Sequence, residues 1–187
     1  MPQQNSRVPP PSALLIIDMQ QGIRDLDRPR NNPQAETRIA ALLAHWRARN
    51  WPRVHIRHVS RAPDSVFAPG QAGALFQPEL APRPDEAVFE KNVTDAFTHS
   101  GLERWLHVRG IGQLVIVGVA SENSVEATAR SASNLGFITR VVADACYTFA
   151  KLDYGGRPRS AEEVHDMAMA NLQAEYAEVV ASTALLD

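Results

Sequence analysis

"GVASENSVEATARSASNLGF", residues 118–137, is the stretch on which the reading of the chain turns. It begins in the apolar run "QLVIVGV" at 113–119, which has the length and composition of a buried strand. A short polar turn then leads straight into a helical stretch, from about Ser121 to Leu135, that stops at Gly136. "FITRVVADA" at 137–145 follows as another strand. Strand, turn, helix and strand in this order make one βα repeat of a parallel sheet.

The same alternation continues in both directions. "ALLIID" at 13–18 is a continuous apolar run ending in an acid, as expected of a strand covered on both faces. Asn32 before Pro33 predicts a capped helix start, and Ile39, Leu42, Leu43 and Trp46 recur at helical spacing until about Arg49. "RVHIRHV" at 53–59 and "AVFEK" at 87–91 are the second and third strands, separated by a Pro- and Gly-containing loop over 60–84. A connection of that length is long enough to suggest a binding role. Ser100 with Glu103 and Ser160 with Glu163 have capping-box spacing, and each precedes an apolar helical stripe: Leu102, Trp105 and Leu106 up to Gly110, then Val164, Met167, Ala168 and Leu172. "AEVVAST" at 177–183 closes the chain as a sixth strand. The pattern predicts a three-layer α/β/α, doubly wound architecture with a six-stranded, mostly parallel sheet, in a single domain over 13–187. Residues 1–12, with four prolines, read as an extended arm.

Bulk composition narrows the function. The chain has 187 residues, enough for one substantial core, with 44% hydrophobic and 21% charged residues and a net charge of −2. That balance argues against disorder and against electrostatic attraction to nucleic acid or an anionic membrane, leaving a small molecule as the expected partner. No stretch approaches the ~20 apolar residues of a membrane span, and the first residues lack a signal-peptide centre, so a cytoplasmic location is expected. The single cysteine, Cys146, permits neither an intramolecular disulfide nor a cysteine zinc cage, and inside the fifth strand it reads as a small buried apolar residue.

In a doubly wound sheet, ligands bind beyond the carboxyl ends of the strands. Three chemically capable side chains fall there: Asp18 after strand one, Lys91 after strand three and Ser124 after strand four. Asp18 follows five apolar residues, where a carboxylate needs a partner, and Lys91 could hold it charged in one crevice. The plain alternatives are an ordinary ion pair or Asp18 capping a local turn. Ser124 lies about three residues past the expected cap Ser121, in a first helical turn whose free N–H groups favour an oxyanion. Its hydroxyl could equally bond within that turn. With strand order 3-2-1-4-5-6, strands three and four stand about 14 Å apart at ~4.8 Å per spacing, so Lys91 must lean inward to reach Ser124.

Together "ALLIIDMQ", "FAPGQAGALFQPEL", "VFEKNVTDAF", "VIVGVASENSVEATARSASNLGF" and "AEEVHDMAMANLQAEYAEVV" resemble the isochorismatase-like superfamily of cysteine hydrolases, over about residues 13–182 and in the family's order. The resemblance implies an Asp–Lys–Cys triad, matched by Asp18 and Lys91, with Ser124 standing where the family has its cysteine. It also implies a cis peptide at Val119–Ala120, with the Ala120 and Ser124 N–H groups as an oxyanion hole. It further implies a hydrolase acting on a C–N bond of a small amide or ureide. The alternatives are vinyl ether hydrolysis of isochorismatase type without a nucleophile, a catalytically impaired ligand-binding relative, or a deliberate cysteine replacement. The Asp-x-His metal element of nicotinamidases is missing after strand two, where "HIRHVSRAPDS" stands, and His55, His58 and His99 look scattered, so neither metal nor cofactor is expected. Phe67, Phe76 and Tyr147 are candidates to line the pocket, while Arg130, Arg157 and Arg159 could meet an acidic substrate. A homo-oligomer, dimer or tetramer, is expected by family analogy.

Overall fold

The computed structural model describes residues 12–24, 26 and 28–186. The chain runs β1 (Ser12–Ile17), α1 (Gln21–Arg24), α2 (Ala35–Ala48), β2 (Arg53–His58), β3 (Ala87–Lys91), α3 (Leu102–Val108) and β4 (Gln113–Val119). It continues through α4 (Glu126–Asn134), β5 (Ile138–Tyr147), the short hairpin β6 (Lys151–Leu152) and β7 (Pro158–Arg159), α5 (Ala161–Leu172) and β8 (Glu178–Val180). Six strands form one sheet in the order β3-β2-β1-β4-β5-β8, and every pairing is parallel. The fold is the α/β sandwich that the alternating pattern predicts.

The apolar run of β1 explains its central place. Ala13, Leu15 and Ile17 face one side, where they meet Leu102 and Leu106 of α3, Ala129 and Ala132 of α4, and Ala168 and Leu172 of α5. Leu14 and Ile16 face the other, with Ile39, Leu42, Leu43 and Trp46 of α2. Side chains alternate along a strand, so a strand covered on both faces has no position left for a polar residue until it ends. That first polar position is Asp18.

Several boundaries differ from expectation. Asn32 does not cap α2; its backbone is left-handed (φ 44°) and its side-chain amide donates to the Ala143 and Cys146 carbonyls at 2.9 and 2.7 Å. Those carbonyls lie where the β4–β5 register shifts between Ile116 and Gly118, and the irregularity exposes backbone acceptors that a regular ladder would use. Ser100 and Glu103 form no capping box, because the Ser100 hydroxyl turns back to donate to the Ala96 carbonyl at 2.6 Å. The box at Ser160 and Glu163 does form, with both reciprocal bonds. The sixth strand is shorter than 177–183, since Ser182 starts a 3-10 turn and its hydroxyl donates to Asp144 at 2.6 Å. The arm expected over 1–12 lies outside the described residues except for Ser12, which begins β1.

The β2–β3 side of the sheet is locked by one carboxylate. Glu86, fully buried just before β3, accepts from Arg47 Nε and Nη2 at 2.7 and 2.8 Å, from Arg53 Nε at 3.2 Å and from the Arg83 backbone N–H at 3.0 Å. His55 Nε2 lies 2.9 Å away. Burial by itself raises such a carboxyl, but the Arg47 bonds, the Arg83 amide and His55 outweigh it and hold Glu86 down at about 2, against an ordinary 4.5. A depressed carboxylate stabilises the fold above its unfolded pKa, and that contribution is lost as pH falls from about 4.5 to about 2. Glu86→Gln is expected to lower the unfolding free energy at neutral pH by about 2 kcal/mol. Urea unfolding at a series of pH values checks this: the gap from the unsubstituted protein should close below pH 4.5.

Candidate active site

Three strand ends converge on one point. Asp18 follows β1 in a left-handed backbone conformation (φ 53°), unusual for a residue with a side chain and worth reading as a positional requirement. Lys91 is the last residue of β3, paired in register with His58 of β2. Its stem crosses toward the sheet centre, so that Nζ donates to Asp18 Oδ2 at 2.7 Å, Ser124 Oγ at 3.1 Å and the Val93 carbonyl at 3.2 Å. All three residues are buried. The inward lean demanded by the strand order is thus achieved by the length of the lysine, whose three ammonium hydrogens meet three acceptors.

Ser124 sits differently from the simple first-turn picture. Residues Ser121–Val125 form a π-helical turn, with the Val125 amide bonded to the Ala120 carbonyl at 3.1 Å, before α4 begins. Such wider turns occur often at functional sites. Ser121 is no cap; its hydroxyl lies 2.7 Å from His165 Nδ1, both buried, and so ties the turn to α5. The peptide between Val119 and Ala120, immediately ahead of the turn, is cis.

The electrostatics of the pair are unequal. Burial pushes Asp18 above the usual carboxylate range; the Lys91 charge, its hydrogen bond and Ser124 oppose this without cancelling it. Asp18 Oδ2 is bound by Lys91, whereas Oδ1 is buried with no hydrogen-bond partner. A buried oxygen left without a donor is an acceptor held ready for a proton or a ligand.

Asp18 and Ser124 open onto a cavity of about 220 Å³, whose wall also includes Val119, Ala120 and Phe67. Phe67 belongs to the long 60–84 loop, which folds into two 3-10 turns at Ala72–Ala74 and Pro78–Leu80 and so supplies part of the wall. Tyr147 and Phe76 are not brought there. Tyr147 is wholly buried against α2, with the Arg30 guanidinium 4.0 Å over its ring, and Phe76 packs edge-on to His55. Arg130 and Arg159 are committed to Glu126, Asp153 and Glu163, and neither they nor Arg157 lie in the wall. Cys146 is buried in β5, its thiol pushed up to about 12 by desolvation. Among the described residues no three His, Cys, Asp or Glu gather as a metal set, and no helix among them is long and apolar enough to cross a membrane.

Sequence reasoning missed Gln20, Ile23, His58, Thr94 and Asn123, which complete the wall. His58 was within reach of the rule that singled out Asp18 and Lys91, since it too is a polar residue at the carboxyl end of a strand.

A family profile for the isochorismatase domain matches residues 12–184. The chain belongs to the isochorismatase family. Among solved structures, an isochorismatase-family protein from Chromobacterium violaceum superposes with a TM-score of 0.95 at 49% identity, covering 100% of this chain and 97% of that one. The isochorismatase family protein YrdC of Bacillus subtilis is 31% identical over 94% of each chain. Streptothricin hydrolase of Streptomyces noursei is 32% identical over 88% of this chain and 58% of its own length. The protein is accordingly an isochorismatase-family hydrolase.

Proposed function

We propose that this isochorismatase-family protein hydrolyses a C–N bond in a small amide or ureide, with Ser124 as nucleophile, Asp18 as base and Lys91 as the cation between them. The observation that carries the reading is the position of Lys91 Nζ, 2.7 Å from Asp18 and 3.1 Å from Ser124, the two residues of the cluster that line the cavity. As Ser124 Oγ attacks the carbonyl carbon, Asp18 takes the hydroxyl proton. The carbonyl oxygen becomes an anion facing the Ala120 and Ser124 backbone N–H groups. The C–N bond then breaks, and the departing nitrogen takes the proton from Asp18. Water cleaves the acyl-serine, with Asp18 accepting its proton and returning one to Ser124. Lys91 holds Asp18 charged against the cost of burial and stabilises the developing alkoxide, a help a hydroxyl needs more than a thiol does.

The raised pKa of Asp18 also suits a protonating acid, as vinyl ether hydrolysis of isochorismatase type requires. The cavity wall favours the first reading: it holds no arginine, and the one nearby lysine is already paired, so a dicarboxylate would meet no free cation. A panel of small primary amides and ureides, assayed for ammonia and for the acid by chromatography beside isochorismate, tests the proposal. Ammonia from at least one amide and no pyruvate from isochorismate is the expected result; pyruvate release, or no turnover of any amide, overturns it.

A further inference from the structure

His165 is the one polar residue on the buried face of α5, whose other buried positions are Ala161, Ala168, Met169 and Leu172. A leucine would continue that stripe, whereas an imidazole taken out of water costs free energy unless something bonds it. Its partner is the hydroxyl of the wholly buried Ser121, 2.7 Å from Nδ1. Ser121 opens the turn that carries Ser124, and the mechanism above gives neither Ser121 nor His165 anything to do.

The hydrogen bonds of the turn show what depends on its shape. In an α-helix the Ala120 carbonyl would accept the N–H four residues on, that of Ser124. Here it accepts those of Asn123 and Val125, three and five residues on, each at 3.1 Å. The Glu126 N–H likewise reaches back five residues to the Ser121 carbonyl. The wider register thus passes over the Ser124 N–H, one of the two donors set toward the oxyanion, where an α-helical turn would spend it on the backbone. π-helical turns are rare, the α register being the better one, so this turn needs support from outside itself. Two consecutive side chains receive it. Glu122 accepts from Thr148 Oγ1, just past β5, and from Lys151 Nζ at 3.1 Å, but it is partly exposed. The Ser121–His165 bond is the buried fastening, where water cannot take the place of a lost partner.

We infer that His165 is a positioning residue for the reaction: by gripping Ser121 it holds the turn in its wide register and keeps the Ser124 N–H free for the anionic oxygen of the substrate. The inference rests on the amide reading above and adds to it the group that maintains the oxyanion site. His165 is not in the cavity wall and touches no reacting atom; it acts through Ser121 and the backbone of the turn.

Two measurements test this. The first needs no turnover: amide hydrogen exchange at Ser124, read by NMR in the unsubstituted protein, in His165→Leu and in Ser121→Ala. The Ser124 N–H is expected to exchange slower by about tenfold or more in both variants, as the turn tightens and the Ala120 carbonyl takes it. His165→Asn, whose amide can stand where Nδ1 stands, should keep the fast exchange. Ser121→Ala removes a single oxygen and keeps the test available if the leucine variant does not fold. Unchanged Ser124 exchange in a folded variant overturns the inference. The second measurement is steady-state kinetics on the best amide. In each variant kcat should fall by roughly 100-fold, the loss of about one oxyanion donor, with KM within about threefold, and the double variant should lose no more than either single one. His165→Asn should recover most of kcat. Losses that multiply in the double variant, or a raised KM with kcat unchanged, would mark two residues that merely support the fold and overturn the inference. Slowed exchange without turnover of any amide would sink the proposed reaction and leave the register of the turn assigned to His165, whereas turnover without slowed exchange would do the reverse.

Discussion

Ser124→Ala and Lys91→Met are each expected to lower kcat/KM on the best amide roughly 10,000-fold, and the double variant to fall no further. The reason is that the residues act as one unit. Without the hydroxyl there is no acyl-enzyme. Without the ammonium, Asp18 loses the partner that opposes its burial, so its already raised pKa moves higher and less of the carboxylate that accepts the serine proton is available. What activity survives in Lys91→Met should therefore rise with pH over a more alkaline range than in the unsubstituted enzyme. Methionine matches the lysine stem in length but leaves the Asp18 carboxyl buried without its partner, so the melting temperature should fall as well, and kinetics are compared at a temperature where both proteins are folded. Ser124→Cys should stay within about tenfold of the unsubstituted enzyme if the site is adapted to an alcohol. A gain of several orders of magnitude would instead identify Ser124 as an inactivating replacement for cysteine. Steady-state kinetics on the four variants decides: single losses that multiply in the double variant would mean that Lys91 and Ser124 serve separate steps.

The architecture was legible because its signals are local and redundant. Each strand of the large sheet appears as an apolar run, each long helix as a stripe, and the buried chemistry falls at the carboxyl ends of such runs, as with Asp18 and Lys91. What was not legible depends on partners distant in sequence. Asn32 resembles a cap until the β5 irregularity offers it two carbonyls 111 and 114 residues away. Ser121 resembles a cap until His165, 44 residues on, takes its hydroxyl and the turn widens to a π-helix. Tyr147 follows a strand run as Asp18 does, yet its ring turns to the α2 face and is buried there. Aromatic side chains are as apt to fill a core as to line a cavity, and only packing distinguishes Phe67, which lines it, from Tyr147 and Phe76, which do not.

Gly118→Ala is expected to destabilise the protein by about 4 kcal/mol or more, a larger cost than any surface substitution should carry. Gly118 pairs with Ile17 across β4 and β1 at a backbone φ of 124°, where a side chain is strained whatever the space. Space is lacking too: a Cβ at this position would lie 2.2 Å from the Ile17 carbonyl oxygen and 2.8 Å from its nitrogen. Ile17 cannot retreat, because β1 is held between β2 and β4 and packed on both faces. The consequence reaches the site directly. Ile17 precedes Asp18, and Gly118 precedes the Val119–Ala120 link to the Ser124 turn, so parting the strands moves base and nucleophile away from each other. Gly112→Ala is the control, since a Cβ there meets nothing within 4 Å; it should change stability by less than about 1 kcal/mol. Urea midpoints and amide turnover measured on both variants check the argument. If Gly118→Ala unfolds at the same midpoint as Gly112→Ala and keeps full activity, close approach of β1 and β4 is not what brings Asp18 and Ser124 to Lys91, and the spacing must be set by the lysine and its three acceptors alone.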